Sequence, residues 1–278
     1  MQTVAIVGVG LIGGSFGLAL RQAGFAGRII GVSSEKTIQA ALTAGAIDSS
    51  APLEEAAEQA DLIYLSQTIS GILATIPRLE HCVRPGALVT DAGSTKTAIV
   101  NTAKTFLLRC TFLGGHPLAG KERRGVEAAD PELFRNRTYA LTPLQEPDLN
   151  APHVLEFMEW LRRLGARTLV TSPDDHDRQV ALTSHLPQLL STALASYLGE
   201  KEATPQIWGP ALVDSTRLAM SSFEIWHDIL VTNQHWIESA LTAYISELEG
   251  VRERIGTLAM QSFFERAAET ARRFRETA

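Results

Sequence analysis

The sequence contains little of what marks a secreted, metal-binding or membrane protein. Its two cysteines, Cys82 and Cys110, do not have the spacing of metal ligands, so we expect buried thiols in a reducing compartment. No apolar run approaches the roughly 18 residues that span a bilayer, and the first residues lack the basic leader of a signal peptide. Together these absences predict a cytoplasmic protein.

Positive charge is also scarce, since the 278 residues carry 25 basic and 31 acidic side chains and a net charge of −6. This balance argues against nucleic acid or an anionic membrane as the main partner. An anionic small molecule would need local cations instead of a general positive field. Neither repeats nor low-complexity segments are found, and the length allows one large or two ordinary domains.

A glycine-rich turn near the N-terminus is the strongest functional motif. Residues 3–7 are a β-branched apolar run that predicts a buried strand, and a helical pattern follows the glycines. Gly8 allows a tight turn, Gly10 lets the backbone approach a pyrophosphate, and Gly13 lets the helix pack on the strand. The phosphates would bind free backbone N–H groups at the positive end of the helix dipole. The expected cofactor-binding residues of this turn are Gly8, Gly10, Leu11, Ile12 and Gly13.

The end of the second predicted strand, 28–32, bears on the choice between NAD and NADP. Enzymes that prefer NAD usually place a carboxylate there for the ribose hydroxyls, whereas a 2′-phosphate needs hydroxyls and cations. Ser33 and Ser34 stand at this position with Lys36 nearby, which favours NADP. Glu35 leaves NAD open, because its carboxylate could turn inward to the ribose. An ordinary solvated loop is the remaining interpretation.

Strands alternate with helical stretches as far as residue 172, which predicts a Rossmann-type α/β fold with a mainly parallel sheet. The other five strands are expected at 61–66, 87–91, 109–114, 139–142 and 167–171. Ser66, at the end of the first of these, is a further expected cofactor contact. Beyond Asp175 only helical periodicity is found, at 175–200, 206–220, 223–248 and 251–276. We therefore expect a dinucleotide-binding domain over 1–172 and an all-helical domain over 173–278.

Two motifs follow the fourth and fifth predicted strands, where the ligands of such sheets bind. His116 lies between glycines and a proline, which indicates a constrained turn and suits a general base beside the nicotinamide. Ser94 could orient this imidazole or bind a substrate hydroxyl. It could equally cap a helix that begins at Thr95, and the two roles are compatible.

A histidine and an arginine are the candidate substrate ligands of the helical half. His185 precedes Pro187, which interrupts a helical pattern. Arg217 could bind a carboxylate through two parallel hydrogen bonds, and a structural salt bridge is the competing interpretation. Trp226 and Trp236 are expected to pack in the interior, although either could wall a pocket for a ring.

Three carboxylates surround His176 where the helical half begins. In composition Asp174, Asp175 and Asp177 resemble a metal-ligand cluster. Their position at a helix start instead favours capping and interaction with the helix dipole. We therefore expect no metal site.

Together these motifs resemble the prephenate and arogenate dehydrogenases of tyrosine biosynthesis. The resemblance covers essentially the whole chain and rests on the order of the glycine turn and the segments 91–96, 114–120, 173–177, 184–187 and 214–217. It implies oxidative decarboxylation of prephenate or arogenate, with hydride transfer to NAD or NADP. The products would be 4-hydroxyphenylpyruvate or tyrosine.

The resemblance also implies roles for individual residues. His116 would take the proton of the ring C4 hydroxyl with assistance from Ser94, and Arg217 would bind a substrate carboxylate. His185 and Glu122 would line the substrate pocket. The family is typically homodimeric, so the helical domain would both bind substrate and dimerise.

Specificity is not settled by the resemblance. Ser33 is closer to the NADP-using arogenate dehydrogenases, whereas Glu122 is a feature of prephenate-using members. Substrate and cofactor preference therefore stay open.

Two other functions stay open as well. A β-hydroxyacid or imine reductase has the same two-domain plan, but it would place a catalytic lysine in the helical domain, where Lys201 is the residue to test. A non-catalytic NADP(H)-sensing protein would bind the cofactor without turnover. Such a sensor needs no base, which argues against it if His116 is one.

Overall fold

The computed structural model describes residues 1–200 and 207–277. Lys201, which the reductase hypothesis would require, lies outside this range, as does the first residue of the helix expected at 206–220. The strands are β1 (Thr3–Val7), β2 (Arg28–Val32), β3 (Ser49–Ser50), β4 (Leu62–Leu65), β5 (Leu88–Asp91), β6 (Thr111–Pro117), β7 (Thr138–Pro143) and β8 (Arg167–Val170).

Helices separate most of the strands, and only helices and their connections follow the last strand in the described residues. Those in the strand-containing part are α1 (Leu11–Gln22), α2 (Glu35–Thr43), α3 (Leu53–Gln59), α4 (Ile69–Leu79), α5 (Thr97–Phe106) and α6 (Pro152–Arg163). Then follow α7 (Pro173–Val180), a π-helical turn (Ala181–His185), α8 (Leu186–Gly199), α9 (Pro210–Thr216), α10 (Phe223–Thr232), α11 (Gln234–Arg254) and α12 (Ala259–Thr277). None of the helices in the two described ranges is long and apolar enough to cross a bilayer.

The eight strands form one sheet in the order β3-β2-β1-β4-β5-β6-β7-β8. Only β6 and β7 pair antiparallel, so the expected mainly parallel sheet followed by a helical part is confirmed. Because β1 lies between β2 and β4, the strand order switches direction beside it. Ligands of such sheets bind at this switch, beyond the carboxyl ends of the strands. The boundary at residue 172 between two domains stays a prediction.

The central strand β1 is buried on both faces, which explains its continuous apolar sequence. Val4 and Ile6 pack into the core beneath α1 and α6, whereas Ala5 and Val7 pack into the core beneath α3, α4 and α5. The edge strand β3 was not predicted, because two residues are too few to show an alternating pattern. The sheet thus holds the glycine turn after β1 rigidly between two cores.

The fifth predicted strand, 109–114, differs most from the structure, because β6 begins at Thr111 and continues to Pro117. The glycines in it are not turn residues. A Cβ atom on Gly114 would lie 2.1 Å from Oγ1 of Thr142, and one on Gly115 would lie 2.4 Å from the carbonyl oxygen of Asp91. Glycine is required at both positions because the neighbouring strands β7 and β5 approach too closely for a Cβ atom.

Two of the expected long helices are interrupted. The 175–200 stretch runs from Pro173 to Gly199 but contains the π-helical turn, and the 223–248 stretch is divided at Asn233 between α10 and α11. The side chain of Asn233 is buried and donates a hydrogen bond to the backbone oxygen of Asp177, at 2.8 Å. Periodicity alone does not show such breaks, because long-range contacts stabilise them.

The helical part packs on the carboxyl edge of the sheet through polar contacts. The hydroxyl groups of Thr95 and Thr232 lie 2.8 Å apart, and Asp228 of α10 accepts a hydrogen bond from the backbone N–H of Ser70 at the start of α4. These contacts place α10 over the edge at which the glycine turn lies.

Candidate active site

The glycine turn after β1 has the geometry of a dinucleotide site. Gly8 has φ +91°, a conformation that favours glycine, and its N–H donates to the carbonyl oxygen of Val32. A Cβ atom on Gly13 would lie 2.4 Å from the carbonyl oxygen of Gly8, so α1 can approach β1 only with glycine there. Beside Gly10, in contrast, a Cβ atom would have no neighbour within 4 Å. The turn therefore leaves open the space at the N-terminus of α1 that a pyrophosphate would occupy.

A cavity of about 280 Å³ lies in front of this turn, between the sheet edge and α10. Its walls come from the start of α1, the loops after β4 and β5, the loop after β6, and α10. They include Leu11, Ile12, Ser66, Gly93, Ser94, Arg123, Arg124, Asp228 and Ile229. The cavity thus joins the expected cofactor residues to one of the expected catalytic residues.

Three cations of the loop after β6 reach this cavity in a protein of net negative charge. Lys121 pairs with Asp130 at 2.8 Å and Arg124 with Glu224 at 3.2 Å. Lys121, Arg123 and Arg124 are the local cations that an anionic ligand of this chain would need.

Ser66 stabilises the turn itself. Its hydroxyl donates to the carbonyl oxygen of Gly8, at 2.8 Å, and its side chain also lines the cavity. The contact explains why a small hydroxyl residue follows β4, and it fixes the distance between the first and fourth strands at the cofactor edge.

The residues expected to determine the preference for NAD or NADP are exposed to solvent after β2. Ser33, Ser34, Glu35 and Lys36 are all exposed, and Glu35 is the first residue of α2. The Ser34 hydroxyl lies 2.9 Å from that of Thr37. The segment therefore presents two hydroxyl groups, one acid and one amine at the N-terminus of a short helix.

Ser94 does not cap a helix that begins at Thr95, so that alternative is wrong. Helix α5 begins two residues later, at Thr97, and its first N–H groups are capped by a carboxylate from another helix. Among the described residues the Ser94 hydroxyl has no hydrogen-bond partner, and Ser94 lines the cavity. It is thus available to a ligand.

The capping carboxylate belongs to Asp177 of α7. It accepts from the backbone N–H of Lys96 at 2.7 Å and from that of Thr97 at 2.8 Å. Burial raises the pKa of Asp177, but hydrogen bonds from His176 and from these N–H groups outweigh it and leave the pKa below its usual value. Asp177 is therefore an ionised carboxylate in the interior.

His116 lies in a strand and not on the turn that its neighbours suggested. It is the penultimate residue of β6 and pairs with Ala140 of β7. Because β5 and β6 are parallel, His116 stands at the same edge of the sheet as Ser94. Its position is therefore fixed by a strand, which is more rigid than a loop.

A chain of hydrogen bonds connects His116 to Asp177. Nδ1 of His116 lies 2.9 Å from Nε2 of His176, and Nδ1 of His176 lies 2.8 Å from Oδ1 of Asp177. The pKa of His116 is well below its usual value because of burial and of the nearby His176, Lys96 and His185. The ring is thus neutral near neutral pH, and one of its two nitrogens has a free electron pair.

A fully buried ion pair lies directly beneath His116. The Lys96 ammonium contacts the Asp91 carboxylate and donates to the carbonyl oxygen of Gly115, at 2.6 Å. Asp91 also accepts from the N–H of Gly115, at 3.0 Å. Burial lowers the pKa of Lys96, although the charge of Asp91 opposes this. The pair joins β5 to β6 at the residue before His116.

His185 ends the π-helical turn and is 1% exposed. Its Nδ1 lies 3.2 Å from the side-chain nitrogen of Asn233, which donates, and its ring packs edge-on against Trp226 with centroids 5.8 Å apart. Burial lowers the pKa of His185 to about 4, a shift that Asp177 opposes and His176 reinforces. A neutral ring that accepts at Nδ1 carries its hydrogen on Nε2 and can donate to a ligand.

Arg217 and Glu122 contact each other. Nη1 of Arg217 lies 3.4 Å from Oε1 of Glu122, and the side chains are 57% and 78% exposed. The structure therefore contains the salt bridge that competed with a carboxylate-binding role for Arg217. The two expected substrate ligands lie side by side, one from the loop after β6 and one from the helical part.

The acidic cluster has the structural role that was expected, in part with other partners. Asp174 accepts from the indole N–H of Trp236 at 3.0 Å, Asp175 pairs with Arg178 at 2.8 Å, and Ser172 caps α7. Among residues 1–200 and 207–277 no group of acidic, histidine and cysteine side chains could hold a metal ion.

Sequence reasoning missed His176, Lys96 and Asn233 as parts of this site. His176 was grouped with residues that cap a helix, and no periodic signal shows that its ring reaches another strand. Lys96 stands within a motif that was noted, but its complete burial depends on the pairing of β5 with β6. The only available signal was that His176 and Lys96 stand in two of the segments on which the family resemblance rests, 173–177 and 91–96.

Comparison with known proteins places these observations in a family. The nucleotide-binding domain model of prephenate dehydrogenase matches residues 16–170, and the model of its dimerization domain matches residues 172–269. The chain is 32% identical to prephenate dehydrogenase of Bacillus subtilis over 283 residues, which cover 99% of this chain and 76% of the relative.

Two solved structures are similar over nearly the whole chain. The crystal structure of prephenate dehydrogenase from A. aeolicus in complex with hydroxyphenyl propionate and NAD+ has a TM-score of 0.89 and 30% identity, covering 100% of this chain and 99% of that one. Arogenate dehydrogenase from Synechocystis has a TM-score of 0.81 and 28% identity, covering 99% of each chain.

Proposed function

Because this chain belongs to the prephenate dehydrogenase family, we propose that it catalyses the oxidative decarboxylation of prephenate, arogenate or both. The products are 4-hydroxyphenylpyruvate and tyrosine, respectively. The enzyme is an oxidoreductase that uses a nicotinamide cofactor. The observation that carries the proposal is the position of His116 and Ser94 at the carboxyl ends of adjacent strands, together with a cavity that begins at the glycine turn and reaches Ser94. Neither a reductase nor a cofactor sensor has comparable support.

The residues of the turn fit a dinucleotide. The open space beside Gly10 and the N–H groups of Leu11 and Ile12 would hold the pyrophosphate, and Ser66 would keep Gly8 in place. When bound there, the nicotinamide supplies the acceptor for a hydride from ring carbon C4 of the substrate.

His116 acts at the substrate hydroxyl on C4. Its neutral ring takes the hydroxyl proton while the hydride leaves, and Ser94 hydrogen-bonds to the same oxygen. The bond to the ring carboxylate then breaks, carbon dioxide leaves, and its electron pair enters the ring. The proton held by His116 returns to the oxygen as the phenol forms, so the base is regenerated. A positioned base of this kind contributes about two to four orders of magnitude in rate.

Arg217 binds a substrate carboxylate, and Glu122 and His185 line the pocket around it. Exposed ion pairs such as that between Arg217 and Glu122 stabilise by only about 0–1 kcal/mol, so a bound substrate can displace the glutamate. A bidentate contact with a carboxylate is stronger and fixes the orientation of the substrate. Helix α10 forms one wall of the cavity through Ile225, Asp228 and Ile229, and this wall would limit the access of water to a bound substrate.

NADP is the preferred cofactor in this proposal. Ser33 and Ser34 provide hydroxyl groups at the end of β2, and the exposed amine of Lys36 can reach a 2′-phosphate. Glu35, at the first position of α2, is the acid that a preference for NAD would require at the ribose. Three of the four groups thus suit the phosphate.

A homodimer joined through the helical part is the proposed assembly. The match of residues 172–269 to a dimerization domain supports it, and so do large apolar side chains on α11 and α12. Ile245 is 50%, Leu248 48% and Phe264 66% exposed in the single chain. Such a concentration of exposed apolar area is typical of a buried interface.

The test of the activity is the absorbance of reduced cofactor with prephenate and with arogenate, each supplied with NAD and with NADP. Turnover in at least one of these combinations supports the proposal, and the combination with the largest kcat/KM defines both preferences. Absence of turnover in all of them, with protein that binds NADP, would overturn it.

A further inference from the structure

We propose that His176 is a positioning residue that, held by Asp177, fixes the tautomer of His116 so that its Nε2 is the base of the reaction. The proposal rests on the proposed dehydrogenase activity and adds to it the reason why one particular ring nitrogen accepts the proton. The proposal follows from the buried hydrogen bonds that connect the start of α5 to Asp177, Asp177 to His176, and His176 to His116.

Asp177 is the fixed end of the chain. Its carboxylate is ionised and accepts from two backbone N–H groups at the start of α5, so it has no hydrogen to donate. The short contact with Nδ1 of His176 therefore requires that this nitrogen carries the hydrogen. Because His176 is 3% and Asp177 is 1% exposed, no water competes for the contact.

The hydrogen on Nδ1 determines the other side of the His176 ring. In the neutral imidazole Nε2 then has a free electron pair and can only accept. Its partner at 2.9 Å is Nδ1 of His116, which must donate. The neutral His116 ring is left with its own electron pair on Nε2, a nitrogen with no hydrogen-bond partner among residues 1–200 and 207–277.

The arrangement has two consequences for the chemistry. First, it prevents His116 from presenting an N–H group to the substrate hydroxyl, which would make it a donor instead of a base. Second, the negative charge of Asp177 is linked to His116 through one polarisable ring, so the imidazolium formed during the reaction is stabilised. Before the reaction, burial and the neighbouring groups His176, Lys96 and His185 lower the pKa of His116 and keep the ring neutral.

The charged and titratable groups around His116 come from several elements. Lys96 and Asp91 lie beneath it from the β5–α5 connection, His176 and Asp177 face it from α7, and His185 approaches from the π-helical turn. Asp91 is paired with Lys96 and does not contact the imidazole chain. Asp177 is therefore the carboxylate whose charge reaches His116 through a hydrogen-bonded ring.

The most direct test observes the tautomer without turnover. The ¹⁵N NMR spectrum of histidine-labelled protein distinguishes protonated from bare ring nitrogens, and comparison with His116→Asn assigns the signals. We expect His116 to be protonated at Nδ1 and bare at Nε2 in the wild type, and to exchange between both forms in His176→Leu. A wild-type His116 protonated at Nε2 would overturn the proposal even if the enzyme is active.

Kinetics provide a second test with a graded pair of variants. His176→Leu removes the acceptor, and we expect a roughly ten- to hundredfold loss of kcat with little change in KM or in NADP affinity. His176→Gln places its amide oxygen near the former Nε2, so it should restore much of kcat. Equal losses in both variants, or an unchanged kcat in His176→Leu, would contradict the positioning role.

A matched control lies on the same helix. Asp174→Asn weakens the contact between α7 and Trp236 of α11 but touches neither His176 nor His116. We expect its kcat to stay near that of the wild type. If it fell as far as in His176→Leu, the losses would reflect displacement of α7 and the proposal would fail. A wild type inactive on both substrates would contradict the proposed function and leave the NMR test intact.

Discussion

Arg217 and Glu122, from opposite sides of the site, form an ion pair with Nη1 and Oε1 3.4 Å apart. Each was expected to serve the substrate, and the side chain of each is more than half exposed. In the proposed function, so weak a pair would let a substrate carboxylate replace Glu122 at the Arg217 guanidinium.

Replacing Arg217 with alanine should therefore raise the KM for prephenate or arogenate by roughly ten- to hundredfold and change kcat much less. A charge-assisted hydrogen bond contributes about 1.5–3 kcal/mol, and each 1.4 kcal/mol is tenfold in an equilibrium constant. Steady-state kinetics measure this, with Arg162→Ala as control, since Arg162 pairs with Glu159 on α6. An unchanged KM would show that a residue other than Arg217 binds the substrate carboxylate.

The cofactor preference should change with the residues after β2. Lys36→Ala should lower kcat/KM for NADP by about tenfold and leave that for NAD unchanged, because the amine is proposed to contact only the 2′-phosphate. Ser33→Asp should reverse the preference towards NAD, since its carboxylate repels the phosphate and accepts from the ribose. Lys104→Ala on α5 is the exposed control. Equal losses of kcat/KM with NADP and with NAD would show that this segment does not recognise the 2′-phosphate.

His185 should make the folded state less stable in acid. Its pKa is lowered to about 4 in the folded chain, whereas the unfolded chain binds a proton near pH 6.5. Between these values the unfolded state holds more protons, so the stability present above pH 6.5 is lost as the pH falls towards 4. From pH 7 to pH 5 this amounts to about 2 kcal/mol.

The free energy of unfolding in urea, measured against pH for wild type and His185→Asn, isolates this contribution. His116 has a lowered pKa too and contributes with the same sign, so the wild type retains some slope when His185 is removed. The difference between the two slopes should vanish above pH 7. A variant with the full wild-type slope would show that His185 is not neutral in the folded protein.

The apolar residues of α11 and α12 should determine the oligomeric state. Phe264→Glu introduces a charge on α12 and should convert the dimer into a monomer of 30.1 kDa, detected by sedimentation equilibrium. Leu108→Glu is the control, because Leu108 is 76% exposed but lies in the strand-containing part. If Phe264→Glu remained dimeric, the interface would lie on another face.

The fold was predictable where local pattern and tertiary environment agree. The run at β1 is apolar because both faces of the strand are buried, and the glycines after it obey backbone geometry. The change from alternating strands and helices to helices alone after residue 172 was predictable from the change in hydrophobic periodicity. The end of β6 could not be predicted in the same way, since Gly114 and Gly115 look like turn residues but serve close packing.

The site was predictable only where the neighbouring residues in the sequence indicated the role of a side chain. His116 stood out because of its glycines, although the reason given, a turn, was wrong. The contacts of His116 with His176, and of Lys96 with Asp91, join residues that different elements bring together. No spacing in the chain encodes them, because they depend on the order of strands and on the packing of α7 against α5.

The central claim is that His116 is the base of a dehydrogenase, and His116→Asn tests it most directly. Asparagine preserves a polar side chain of similar reach but cannot take up a proton. Turnover of the preferred substrate should fall by about two to four orders of magnitude while the affinity for the cofactor, measured by fluorescence titration of the same preparation, stays unchanged. Turnover within a few-fold of the wild type would contradict the account.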